Sequence, residues 1–119
     1  MIDSPPMRFF RLTVLEADVA ALEEALGYAL SCWTARLQES DSIEWRNYAV
    51  EVHTIRNRLT QAAAQDGERT LLLPGNIAGA LGEVAHCCDE ADDPATVALA
   101  EVARRYAQRV MPTRGSSES

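Results

Sequence analysis

Leu15, Val19, Leu22, Leu26, Leu30, Trp33 and Leu37 follow one another at steps of four, three, four, four, three and four. That spacing keeps them on one face of an α-helix. Thr13 and Glu16 stand at capping-box spacing, so the pattern predicts a helix starting there, about 36 Å long at a rise of 1.5 Å per residue. A second apolar face, Trp45, Tyr48, Ala49, Val52, Ile55, Leu59 and Ala62, predicts a second helix. Ser40, Asp41 or Ser42 caps it, and it runs to about Gln65, where Asp66-Gly67 stops it with Gly67 just beyond the C-cap. The short connection makes these two helices antiparallel neighbours.

Leu71-Leu72-Leu73 leads into the breakers Pro74-Gly75-Asn76, after which Ile77, Leu81, Val84 and Cys88 resume helical spacing. Asp92-Asp93-Pro94 supplies a cap with proline at the first helical position. Val97, Leu99, Val102, Ala103, Tyr106 and Val110 then mark a fourth helix ending before Pro112. Each half of the chain follows one plan, a short apolar lead-in and a helical hairpin. The expected fold is therefore all-α, a small four-helix bundle of two antiparallel hairpins, two long helices followed by two shorter ones. Residues 1–7, with Pro5 and Pro6, read as a flexible lead, 8–112 as a single helical domain, and 113–119 as a disordered polar tail. Arg8-Phe9-Phe10-Arg11-Leu12 reads as a short extended segment covering the end of the core.

Charge changes the picture at one place. Between Glu24 and Arg36 the first helix carries no charge on any side. An ordinary surface helix shows a charged side at every turn, so the stretch from Ala25 to Ala35 predicts burial by several neighbours or by a second chain. Leu26, Ala29, Leu30, Trp33 and Leu37 are the candidate interface on that helix. Arg104, Arg105, Arg109 and Arg114 form a basic run downstream of Glu83, Asp89, Glu90, Asp92 and Asp93; Arg104, Arg105 and Arg109 are the candidate polar docking residues. Acids at a helix start and bases at its end also complement the helix dipole, and Glu101 stands at pairing distance from Arg105 at i+4.

Composition mostly excludes. All 11 basic residues are arginine, which removes Schiff-base lysines, phosphate-loop lysines and Ser-Lys dyads. A net charge of −7 opposes binding to nucleic acid or an anionic membrane. Cys32, Cys87 and Cys88 include no CxxC pair, a count and spacing that fit a reducing cytoplasm. No signal peptide or apolar run of membrane-spanning length is present in the sequence.

Candidate chemistry is thin. His86-Cys87-Cys88-Asp89 cannot close on one ion, because successive helical residues point about 100° apart. Glu83 and His86 have the Glu-x-x-His spacing of di-iron bundles, but the second copy such a site needs is missing, and Glu51 and His53 lie on different faces. No nucleophile-presenting turn accompanies either histidine. Gly79 and Gly82 inside the third helix each cost about 1 kcal/mol against alanine, which predicts a close helix crossing or a ligand pressed on the backbone. The reading is a non-enzymatic protein-binding module, an adaptor, immunity or antitoxin-like factor or small regulator, acting by stoichiometric binding. Its expected partner is another protein chain, a second copy in a homodimer included. The alternative is a bundle holding a small apolar ligand or cofactor between its helices, with Trp33, Trp45, Tyr48 and the third helix as walls. No catalytic residue, metal or cofactor is implied.

Overall fold

The computed structural model describes residues 9–39 and 43–112. The expected lead, tail and helix cap at Ser40, Asp41 or Ser42 lie outside them, as does Arg114. Strand β1 (Phe9–Leu15) is followed by helices α1 (Glu16–Glu39) and α2 (Ile43–Gln61), then β2 (Glu68–Pro74), α3 (Ile77–Asp89), α4 (Pro94–Ala107) and the two-residue β3 (Met111–Pro112). The molecule is mostly helical, as the spacing predicts. An all-α bundle is nevertheless not what forms, because the two lead-ins are strands. They pair antiparallel, and β1 lies at the centre of a three-stranded sheet of order β2-β1-β3.

Side-chain alternation explains the correction. Leu12 and Val14 point into the core and Phe10 packs against it, while Phe9, Arg11 and Leu15 face out. Across the ladder Leu12 faces Leu71 and Phe10 faces Leu73, both partners buried. Period two is the signature of a sheet with one covered face. Thr13 therefore does not cap a helix. Its hydroxyl lies 3.2 Å from that of Thr70, its cross-strand partner. Glu16 turns instead to Arg69, which donates to both carboxylate oxygens at 2.8 and 2.9 Å. The guanidinium hydrogen bond holds the Glu16 carboxyl below the usual glutamate range.

The second boundary moves for a related reason. Helix α2 ends at Gln61, short of the expected Gln65. Gln65 and Glu68 exchange backbone hydrogen bonds of 2.8 and 3.1 Å across Asp66 and Gly67, whose φ angles are 55° and 78°. Two positive φ values make this a type I′ hairpin turn. Its Gly67 carbonyl also accepts the Glu16 N–H at 2.8 Å, occupying one of the free donors at the start of α1.

Helix α1 packs on β1 and α2 on β2, and one core joins all four helices to the inner side of the sheet. Leu22, Leu26, Ala29 and Trp33 of α1 meet Val52, Ile55 and Leu59 of α2, Leu81, Val84 and Cys88 of α3, and Ala100, Ala103 and Tyr106 of α4. Asp93 and Pro94 start α4 as the sequence predicts, and Asn76 caps α3 by accepting from the Gly79 N–H at 3.1 Å. Gly79 owes its identity to that cap, since an added Cβ would lie 2.4 Å from the Asn76 amide nitrogen. Gly82 faces open space, so neither glycine marks a close helix crossing.

Candidate functional site

The neutral stripe of α1 resolves into core. Leu26, Ala29, Leu30 and Trp33 are buried within this chain, and Leu37 at the far end is half-buried. Four of the five candidate interface residues thus have no area to offer a partner. The charge-free middle packs against α2, α3, α4 and β1 on its apolar side, while Ser31, Thr34 and Ala35 face solvent with no charge among them.

Aromatic and sulfur groups gather around this helix. Trp33 lies 6.0 Å from Trp45 and 5.8 Å from Tyr48 between ring centroids, with Trp45 and Tyr48 6.2 Å apart and the Arg36 guanidinium 5.0 Å over Trp45. At such separations the rings fill one another's space. Cys32 of α1 neighbours Tyr28 and, across the helix pair, Cys87 of α3. The contact with Cys32 pushes the Tyr28 phenol up to about 12. Burial pushes the Cys87 thiol up to about 12 and the Cys88 thiol up to about 11. Protonated thiols are weak nucleophiles and weak metal ligands, and among the described residues no group of three His, Cys, Asp or Glu side chains could hold a metal. His86 sits on the surface against Glu90 at 3.2 Å. His53 is exposed.

The three docking arginines separate into different environments. Arg104 is held by Asp89 at 2.5 Å and by Glu101 at 3.3 Å. Glu101 therefore pairs with Arg104 and not with Arg105. Arg105 reaches across to Asp18 of α1 at 3.1 Å. The same Asp18 oxygen accepts the Tyr106 hydroxyl proton at 2.5 Å, and that hydroxyl accepts the Leu15 N–H at 3.1 Å. Burial, then the Asp18 hydrogen bond, raises the Tyr106 pKa. Arg109 differs from the other two. Its guanidinium lies 5.3 Å over the Tyr106 ring, and no described carboxylate pairs with it.

Exposed apolar side chains occur at Ile43 and Val50 of α2, and four more gather on the outer face of the sheet. Phe9, Leu15, Leu72 and Met111 are exposed to 38%, 39%, 51% and 56% there, although each belongs to a residue type that usually buries. Register sets Leu72 and Met111 on either side of Arg11. Arg11, Thr13, Leu15, Glu68, Arg109 and Met111 line a shallow depression of about 230 Å³ on this face. Arg11 also has no carboxylate partner among the described residues. The sequence reading has an extended segment only from Arg8 to Leu12 and pairs it with nothing, so it misses this face; period-two alternation from Phe9 to Leu15 is the signal that marks it.

No known protein family, curated protein or solved structure matches the chain.

Proposed function

We propose that this chain is a non-enzymatic protein-binding module that acts by stoichiometric contact through the outer face of its sheet. The observation carrying the reading is the row Leu72-Arg11-Met111, with Leu15 beside it: exposed apolar side chains brought together on one face of the sheet whose other face is closed core. Contiguous exposed apolar groups rimmed by charge favour a macromolecular contact. The interior gives little support to catalysis. Apart from the thiols and the Tyr106 hydroxyl, no polar side chain is buried among the described residues, and none of those is activated. No described helix is long and apolar enough to cross a membrane, and a cytoplasmic setting fits the free cysteines.

The test compares wild type with a Leu72→Asp/Met111→Asp variant by cross-linking in the cells that make the protein. Wild type should enter a complex of fixed stoichiometry, and the variant should keep its fold by circular dichroism while leaving the complex. Equal cross-linking of both proteins, or a wild type that stays monomeric and uncross-linked, would refute the reading. A ligand held between the helices has less support, since the Trp33, Trp45 and Tyr48 rings occupy one another's contact space.

A further inference from the structure

We infer that the depression on the outer sheet face receives a carboxylate side chain, flanked by apolar residues, from an acidic segment of a partner protein. This rests on the reading that the same face docks a protein. Charge is unevenly used on this molecule. The chain carries −7 overall, and most of the described arginines are engaged, among them Arg104 by Asp89, Arg105 by Asp18, Arg69 by Glu16, Arg36 by Glu90 and Arg58 by the Leu72 carbonyl. Arg11 and Arg109 have no described carboxylate partner, yet they line one depression. An acidic molecule is repelled over much of the surface and attracted here, which makes the site selective by position.

The donors suit an acid oxygen. A guanidinium presents a planar fork that matches a carboxylate, and two of them can share its oxygens. Thr13 adds a hydroxyl that can accept from Thr70, 3.2 Å away, while donating to the ligand. Leu15 and Met111 form apolar walls, and Leu72 lies beside Arg11 across the ladder, so residues next to the acid are best apolar. Glu68 faces Leu15 at the other end and repels a second carboxylate there. The acid is thereby directed to the Arg11 end. About 230 Å³ holds one side chain rather than a whole ligand, which is why a protein segment lying along the face is the occupant. Nucleic acid fits poorly, since it would need many phosphate contacts from a depression lined by two arginines and a glutamate.

The full-length protein is titrated with a short fluorescent peptide alternating leucine and glutamate, and with matched peptides carrying glutamine or lysine in place of glutamate. Charge-assisted hydrogen bonds should make the glutamate peptide bind about ten- to a hundredfold tighter than the glutamine one, with affinity falling as salt rises. Arg11→Gln and Arg109→Gln should each erode that preference, Arg11→Lys should keep part of it, and Glu68→Gln should strengthen glutamate binding. Equal binding of the glutamate and glutamine peptides, or a preference untouched by Arg11→Gln in a protein of unchanged melting temperature, overturns the inference. Tighter binding of inorganic phosphate or of a single-stranded oligonucleotide at the same arginines overturns it too. If no peptide binds but Leu72→Asp/Met111→Asp still dissolves the cross-linked complex, the partner chemistry is wrong and the docking reading stands. If the complex also persists in that variant, both fall.

Discussion

Replacing Tyr106 by phenylalanine removes one oxygen atom and should be felt in three elements. The hydroxyl donates to Asp18 of α1 at 2.5 Å and accepts the Leu15 N–H of β1 at 3.1 Å, while the residue itself sits in α4 with no exposed surface. A hydrogen bond to a charged group contributes about 1.5–3 kcal/mol, and the Leu15 N–H would lose the acceptor it has now. Asp18 keeps Arg105, which limits the damage, so the expected loss is about 2–3 kcal/mol. With a urea m-value of about 1.5 kcal/mol/M, the unfolding midpoint falls by about 1.3–2 M at constant slope. A domain of ordinary stability, about 5–15 kcal/mol, survives this and stays folded. Asp18→Asn combined with Tyr106→Phe should show coupling of at least about 1 kcal/mol in a double-mutant cycle. The raised phenol pKa adds a pH signature. A group whose folded pKa is raised stabilises fully below its unfolded pKa and loses that contribution as pH rises through the folded value. Alkaline loss of stability should therefore be steeper in wild type than in Tyr106→Phe. A loss under about 0.5 kcal/mol, with parallel alkaline limbs, would refute the view that this hydroxyl ties the elements together.

Gly67→Ala should destabilise by about 1–2 kcal/mol in urea unfolding, because φ at this residue is 78° although space for a Cβ is open. Glu16→Gln should flatten the acid limb of the stability curve: the lowered Glu16 pKa gives stability that is present above the unfolded value and lost as pH falls through the folded one. Iodoacetamide at mildly alkaline pH should modify Cys32, the half-buried thiol, first, and reach Cys87 and Cys88 only as fast as the protein opens, as read by peptide mass spectrometry. Rapid labelling of all three in the native protein would contradict their burial.

Where sequence and structure agree, the pattern had a single physical meaning. Asp93-Pro94 can only begin a helix well, and Leu26, Leu30 and Trp33 at helical steps in a charge-free stretch demand heavy burial. Where they part, one set of residues serves two local structures. Asp-Gly ends a helix or makes a type I′ turn, and Thr-x-x-Glu caps a helix or straddles the end of a strand; tertiary pairing between β1 and β2 chooses. Leu71-Leu72-Leu73 hides its alternation because the outward Leu72 is as apolar as its inward neighbours. The candidate site was half visible. Arg109 stood in a basic run, but its availability depends on Asp18, Asp89 and Glu101 taking Arg105 and Arg104. Arg11 enters only through strand register, and the meeting of Cys32 with Cys87 only through the packing of α1 on α3.

The central place of β1 bears on how the chain assembles. Its first neighbour, β2, emerges from the ribosome long after β1, and its second, Met111–Pro112, later still. Helical hairpins can form locally as they appear, whereas the middle strand waits with Leu12 and Val14 unburied until distant segments arrive. Closing such long loops is slow. The β1 segment is therefore where a chaperone would most readily find this protein during synthesis, and where aggregation would begin if β2 were delayed.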